Sequence, residues 1–272
     1  MNRRQAFEAA AITAAFGAVL LEWAQYCSAS SRLSYALFVP VLVLIVARLG
    51  GRKAAPTEGS SWMQSGLILL AAVLLAVGTL ASVFTIALMG FPVAVTGLLL
   101  GHRGPSVLRR HGWAIALLFL IVPLPTPIID RITPTLVSAS GNIAAGMLSI
   151  GGEASWSGDL LDYKEHRLLV SEACSGSGTL FILVVLSTFL AGLFRLGLLT
   201  GIGAILFSIP LVAVVNGIRI ALSAVSLDLF GVEAAEGAAH ELLGIVLIVA
   251  TAAALALLFS KVDRLRTRKV PA

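Results

Sequence analysis

The sequence predicts an all-α integral membrane protein. Hydrophobic residues make up 58% of the 272 residues, and charged residues only 12%, about half the share that is usual in soluble domains. Several uncharged stretches reach the length of about 20 residues that a membrane-spanning helix needs. This composition excludes a disordered chain, a disulfide scaffold and an ordinary cytosolic enzyme. We predict a single polytopic membrane domain over residues 1–272.

About eight stretches are predicted to span the bilayer, since a charge at its centre is costly. The 43 uncharged residues 59–101 leave room for two helices, with a turn near Gly90-Phe91-Pro92 or slightly earlier. The N-terminal stretch resembles a cleavable secretory signal, but the bulky Trp23 and Tyr26 favour an uncleaved helix. The remaining spans are predicted at 9–21, 33–47, 112–129, 173–194, 196–218 and 242–260.

The positive charges predict that both termini lie in the cytoplasm. With eight spans, 14 of the 19 Lys and Arg residues fall on one side, and the positive-inside rule makes that side cytoplasmic. His102 and His111 fall on this side, beside Arg103, Arg109 and Arg110. The positive charges, which give a net charge of +5, therefore indicate how the chain is oriented in the cytoplasmic (inner) membrane. We predict that its partner is the lipid bilayer and that it binds no nucleic acid.

Two segments are predicted to lie on the outer face. Residues 132–152 are uncharged, but counting them as a span would place the basic C-terminal tail outside. Their apolar and polar residues fall on opposite sides of a helix, which predicts an interfacial helix over 132–150 on the outer leaflet, with Pro134 near its start. Residues 151–172 are predicted to form a small extracytoplasmic cap of short strands, with a hairpin turn over 163–167.

Three chemically distinctive residues are predicted at one membrane depth, at the outer ends of three different spans. Cys174 is predicted to begin the 173–194 helix, where backbone N–H groups and the macrodipole favour a thiolate. The small Ser175 and Gly176 after it would let a substrate backbone approach. The alternative for Cys174 is a small buried hydrophobic residue, or a disulfide with Cys27.

Arg219 is predicted at the outer end of the 196–218 helix, with Asn216 three residues earlier on the same face. An arginine at this depth indicates a functional site, and the alternative is snorkelling at a helix end. His240, at the outer start of the last helix, could exchange protons near neutral pH or could simply cap the helix. His240-Glu241 begins like a zinc-protease helix, but Gly244 stands where the second His is needed, so we predict no metal and no cofactor.

A thiol, an arginine and a histidine at one depth could form a cysteine transpeptidase site. Two other classes of protein stay open. One is a transporter or channel with Arg219, Asn216 and Glu172 as a polar pathway, although transporters usually place their sites near the midplane. The other is a non-catalytic membrane assembly factor.

Three motifs in order resemble the exosortase/archaeosortase family. Val170-Ser171-Glu172-Ala173-Cys174-Ser175-Gly176 resembles its Cys motif, Asn216-Gly217-Ile218-Arg219-Ile220 its N-x-x-R-I motif, and His240 with Gly244 its final H-x-x-x-G. Pro123-Leu124-Pro125 after an apolar helix also fits. The resemblance covers residues 115–250, the predicted catalytic region.

This resemblance implies an integral-membrane cysteine transpeptidase or protease. Such enzymes recognise exported proteins with a C-terminal sorting signal, made of a short motif, a transmembrane helix and a basic cluster as in PEP-CTERM proteins. They cleave it on the outer face and transfer the product to an acceptor, here unknown. By resemblance Cys174 is the nucleophile, Arg219 clamps the transition state or the substrate, and His240 is the proton-transfer partner. The residues that would bind substrate or support the site are Glu172, Ser175, Gly176 and Asn216. Ser177-Gly178 stand where many exosortases carry an aliphatic residue and Arg, which leaves the subfamily open.

Overall fold

A computed structural model describes residues 3–30, 33–51, 57–170, 176–232 and 238–268. Helices dominate, which confirms the all-α membrane class. In chain order the elements are α1 (Arg3–Ala29), a 3-10 helix (Ser34–Phe38), α2 (Val39–Leu49), α3 (Ser61–Leu80), α4 (Phe84–Arg103), α5 (Ser106–Phe119), α6 (Thr126–Leu148), β1 (Ala154–Ser157), β2 (Leu160–Tyr163), β3 (His166–Leu169), α7 (Ser177–Leu193), α8 (Leu198–Phe230) and α9 (Ala238–Arg268).

Within the described residues, five helices are long and apolar enough to cross a membrane: α1, α3, α4, α8 and the Leu242–Arg264 part of α9. Two shorter apolar helices cover Ser34–Leu49 and Ser177–Leu193. These helices support a multi-pass membrane protein. The count of eight spans and the orientation stay predictions.

The chain divides into two compact units, Met1–Pro125 with Ala191–Leu196, and Thr126–Leu190 with Gly197–Ala272. In the first unit, α3 and α4 pack along each other and α1 packs against them. Its core includes Phe16, Ala71, Val93 and Ala94. The indole Nε1–H of the buried Trp23 donates a hydrogen bond to the Ile121 carbonyl over 2.9 Å, which ties α1 to the end of α5.

The turn between α3 and α4 lies at residues 81–83, so the prediction of a turn near Gly90-Phe91-Pro92 or slightly earlier placed it several residues too late. The turn divides the uncharged run evenly into two helices of 20 residues, each about 30 Å long and therefore able to span the hydrocarbon core. Gly90 and Pro92 lie inside α4. Gly90 serves packing, because a Cβ atom there would lie 2.9 Å from the Phe16 ring.

The predicted helix 112–129 is also wrong, because α5 ends at Phe119 and a new helix begins at Thr126. Pro123 and Pro125 lie between them; each lacks an N–H group and disfavours helical geometry in the residue before it. The predicted interfacial helix therefore starts earlier than residue 132, and Pro134 lies inside it. Pro127 fits the first turn of α6, where its missing N–H group is not needed.

In the second unit, α6 packs against α8 through a side of mostly small residues. A Cβ atom on Gly217 of α8 would lie 2.8 Å from Ile143 and 2.9 Å from the Ser140 carbonyl of α6, so the two backbones approach closely. The buried residues of α6 are Leu136, Ser140, Gly141, Ala144, Ala145 and Leu148. The helix thus supports α8, and its place on the outer leaflet stays a prediction.

The segment predicted to form short strands contains a three-stranded antiparallel sheet, in the order β1-β2-β3. Asp162 pairs with Arg167 across β2 and β3 and accepts a hydrogen bond from its Nε over 2.6 Å, which raises the pKa of Arg167. Leu161 and Tyr163 point into a core shared with α6 and α8. The sheet therefore packs on both helices, while its side of the membrane stays a prediction.

The helix predicted over 196–218 extends to Phe230 as the 33-residue α8, so Arg219 and Asn216 lie inside it and not at its end. At 1.5 Å per residue α8 is about 50 Å long, longer than the hydrocarbon core. The sheet stabilises the additional length: Lys164 of the β2–β3 turn donates a hydrogen bond to Asp228, which raises the pKa of Lys164. Ile220, Ala221 and Ala224 belong to the core that includes Leu161 and Tyr163.

Gly141→Ala should destabilise the protein by about 1 to 3 kcal/mol, because an added Cβ atom would lie 2.3 Å from the Trp156 ring. Gly146→Ala is the matched control in the same helix, where a Cβ atom meets nothing within 4 Å. Its expected effect is neutral, or stabilising by up to about 1 kcal/mol through helix propensity. Thermal unfolding of both variants in detergent checks this, and equal effects would contradict the packing of β1 on α6.

Candidate functional site

The N-x-x-R-I segment lies in the interior of α8. Asn216 is only 1% exposed, and Arg219 follows one turn later, half-buried and with its Nε atom shielded from solvent. Arg219 lies 21 residues after Leu198, a rise of about 30 Å. This rise matches the thickness of the hydrocarbon core, so Arg219 can lie at a membrane interface although the helix continues.

Gly176 brings the end of the Cys motif against α8. A Cβ atom on Gly176 would lie 3.2 Å from Nδ2 and 3.3 Å from Cγ of Asn216. The φ angle of Gly176 is +78°, a left-handed conformation that side chains disfavour. Two independent features therefore favour glycine at position 176: its left-handed backbone conformation and the short distance to the Asn216 side chain.

Gly244 brings the final motif against the same turn of α8. A Cβ atom on Gly244 would lie 3.3 Å from Nε, 3.4 Å from Cζ and 3.5 Å from Nη2 of Arg219. The guanidinium group therefore lies against the backbone of α9. The absence of a side chain at Gly244 makes room for it.

His240 lies in the first turn of α9, as the sequence predicts, because the helix begins at Ala238. Positions 240 and 244 are one turn apart on one face of the helix. Since Gly244 contacts Arg219, this face of α9 is the one that meets α8. The helix geometry thus places position 240 one turn from the Arg219 contact.

The structure brings together Gly176, Asn216, Arg219 and Gly244, all in the second unit. Three predicted site residues, Glu172, Cys174 and Ser175, lie outside the described residues. The helix predicted to begin at 173 begins at Ser177, because the left-handed Gly176 cannot be part of an α-helix. The place of Cys174 itself, predicted at the start of this helix, lies outside the described residues.

Supporting residues that the sequence analysis missed lie on α6 and β1. Ser140 and Ile143 pack on Gly217, next to Asn216 in the chain, and the Trp156 ring covers Gly141 on α6. Spacing of small residues along 140–145 is the signal that could have indicated a close helix contact here. These contacts hold α8, and with it the turn that carries Arg219.

Cys27 is a free cysteine, 1% exposed and part of the core of the first unit. The alternative in which Cys27 forms a disulfide with Cys174 is therefore wrong for this structure. Within the described ranges, no group of three or more His, Cys, Asp and Glu side chains could hold a metal ion.

These features define a class: multi-pass membrane proteins in which three separate motifs meet at one turn of a long helix. The family described as "Transmembrane exosortase (Exosortase_EpsH)" matches residues 23–259, so the chain belongs to the transmembrane exosortase family. No curated protein and no solved structure matches the chain. Membership supports a membrane transpeptidase or protease function, with exported proteins as substrates.

Gly176→Ala should lower the free energy of unfolding more than Gly158→Ala does. Both glycines have positive φ angles, +78° and +68°, so each substitution should cost about 1 kcal/mol in backbone strain. Only the Cβ atom at 176 meets a neighbour, Asn216 at 3.2 Å, whereas at 158 nothing lies within 4 Å. The additional loss of about 1 kcal/mol is measurable by thermal unfolding in detergent, and equal losses would mean that Gly176 does not pack on Asn216.

Proposed function

We propose that the chain is a membrane-embedded cysteine protease or transpeptidase that cleaves C-terminal sorting signals of exported proteins at the outer face. The observation that carries the proposal is the meeting of all three motifs at one turn of α8. Gly176 contacts Asn216, and Gly244 contacts Arg219, at approaches of 3.2 and 3.3 Å. Motifs separated by dozens of residues would not need such contacts if each only stabilised its own helix.

Cys174 is the proposed nucleophile. One residue, Ser175, lies between it and Gly176, and two links of extended chain span at most about 7 Å. Because Gly176 lies on Asn216, this limit supports the proposal that Cys174 acts near the turn of α8 that carries Arg219. A neighbouring cation favours the thiolate, which is the reactive form of cysteine.

The proposed reaction has two steps. The Cys174 thiolate attacks the carbonyl carbon of the scissile peptide, and the Arg219 guanidinium stabilises the oxyanion that forms. The C–N bond then breaks, His240 gives its proton to the leaving amine, and a thioester remains on Cys174. In the second step an acceptor nucleophile or water attacks the thioester, gives its proton to His240, and releases the Cys174 thiolate.

The shape of the Arg219 contact explains why an arginine suits this site. A guanidinium group is planar and can lie flat against a helix backbone while it donates hydrogen bonds from its edge. The nearly equal approaches of Nε, Cζ and Nη2 to the Cβ position of Gly244, 3.3 to 3.5 Å, fit a group lying flat. A Lys ammonium group has no such plane and would leave the space above Gly244 partly empty.

The proposed substrate crosses the bilayer beside the enzyme. Its basic tail stays on the cytoplasmic side by the positive-inside rule, so its scissile bond lies at the outer end of its helix. We propose that this helix lies against the small residues at the start of α7, with α6 and the sheet shaping the entry. Glu172 and Ser175, which flank Cys174 in the motif, would contact the residues of the sorting signal.

Cys174→Ala should abolish processing, because no other group supplies the thioester. The measurement is the mass of a co-expressed substrate that carries a sorting motif, a transmembrane helix and a basic tail. Wild type should remove the tail, and any mass added to the new C-terminus identifies the acceptor. Cys27→Ala is the matched control: it removes the buried thiol of the first unit and should keep processing within about twofold of wild type.

Processing that persists in Cys174→Ala would contradict the nucleophile assignment. Loss of processing in both cysteine variants at normal protein levels would point to a structural role for the thiols instead. A wild type that transports a solute and leaves all sorting-signal substrates intact would favour the transporter alternative.

Arg219→Lys should reduce the rate of processing nearly as much as Arg219→Ala, about a hundredfold or more, because the planar contact with Gly244 is lost in both. The matched control is Arg167→Lys in β3 of the same unit. Arg167 forms an exposed ion pair with Asp162, and a positive charge alone is enough to keep such a pair. Initial rates with one substrate measure the effect. A rate for Arg219→Lys close to wild type would show that only the positive charge matters.

A further inference from the structure

A basic cavity lies in the first unit, which contains none of the proposed catalytic residues. Its volume is about 350 Å³, at the small end of the range for ligand pockets. Apart from Val107, the lining consists of two arginines, two histidines and two hydroxyl residues: Arg103, Arg110, His102, His111, Thr57 and Ser106.

The turn between α4 and α5 builds this cavity. Gly104 has a φ angle of +65°, and a Cβ atom there would lie 2.1 Å from the Glu58 carbonyl and 2.4 Å from the Thr57 hydroxyl. The Ser106 N–H group donates a hydrogen bond to the Thr57 hydroxyl over 3.1 Å, and that hydroxyl donates to the Arg103 carbonyl over 3.3 Å. Thr57 and Glu58 are thus held against the turn, and the Thr57 hydroxyl lies between Arg103 and Ser106.

The cavity carries positive charge that its surroundings do not neutralise. The nearby carboxylate of Glu8 is already engaged, since it accepts hydrogen bonds from Arg4, Gln64 and His102 at 2.8, 3.2 and 2.7 Å. Across the described part of the chain, no ion pair joins Arg103 or Arg110 to a carboxylate. Two guanidinium groups therefore line a small cavity without an acidic partner there.

His111 gives a second, independent indication of a ligand. Both of its ring nitrogens are buried, and neither has a hydrogen-bond partner among the described residues. Its backbone, at φ −123° and ψ 17°, departs from helical geometry inside α5. Buried polar atoms without partners are unfavourable, so a polar ligand in the cavity would stabilise this arrangement.

We propose that this cavity binds a phosphate group through Arg103 and Arg110, with the headgroup of an anionic phospholipid as its source. Guanidinium groups bind phosphate oxygens in pairs, and a ring N–H of His111 offers a further donor. The Ser106 hydroxyl already donates a hydrogen bond to the Arg103 carbonyl over 3.0 Å. The predicted orientation places this turn on the cytoplasmic side, where basic pockets between membrane helices receive lipid headgroups. Free inorganic phosphate has the same chemistry and is the other source to be tested.

The test uses the full-length protein in detergent, with binding measured by native mass spectrometry and by thermal stability. The probes are phosphatidylglycerol, phosphatidylcholine and inorganic phosphate. Wild type should bind one phosphatidylglycerol in preference to phosphatidylcholine, and the double variant Arg103→Gln/Arg110→Gln should bind it about tenfold or more weakly. Arg109→Gln is the matched control: Arg109 lies beside Arg110 on α5 and is exposed as Arg103 and Arg110 are, but it does not line the cavity.

An equal loss of phosphatidylglycerol binding in Arg109→Gln and in the double variant would overturn the proposal, because it would show that a basic surface attracts the lipid without a specific site. Equal binding of the two lipids by wild type, without any effect of inorganic phosphate, would also overturn it. Stabilisation by millimolar inorganic phosphate that is lost only in the double variant would support the phosphate site and identify free phosphate as the source.

Discussion

The turn of α8 from Asn216 to Arg219 meets its neighbours at distances that leave little or no room for a Cβ atom. The backbone at Gly176 rests on Asn216, α6 closes on Gly217, and Arg219 covers Gly244. Within a bilayer there is little hydrophobic force between helices, so tight packing of small residues holds them together. The relative placement of the three motifs follows from these approaches. A methyl group at Gly217 would force α6 and α8 apart, and one at Gly176 or Gly244 would displace the side chain of Asn216 or Arg219 slightly.

The length of α8 is the second constraint on the site. A 33-residue helix extends well past the hydrocarbon core, so a half-buried arginine two-thirds of the way along it can reach the polar interface. The additional length needs support from the rest of the second unit. The sheet supplies it through the hydrogen bond from Lys164 to Asp228 and through the core around Leu161. The sheet therefore holds the helix that carries Arg219, in addition to its proposed role in shaping the entry.

The sequence predicts elements here better than it predicts where they end. Long uncharged runs mark the membrane helices, because a charged group inside the bilayer is costly. The turn at 81–83 was missed because Gly90 and Pro92 are tolerated inside membrane helices, where neighbouring groups compensate. The contacts of Gly176 and Gly244 could not be predicted, since they join residues far apart in the chain. The motif resemblance marked both glycines but gave no reason for them.

The proposed thioester between Cys174 and the substrate, near Arg219, is tested most directly by trapping this intermediate. A reaction of the full-length protein with a sorting-signal substrate is quenched in acid, digested and analysed by mass spectrometry. We expect a peptide containing Cys174 that carries the new C-terminus of the substrate and releases it as a hydroxamate when hydroxylamine is added. Substrate cleavage without this adduct, or with an adduct on another residue, would contradict the account.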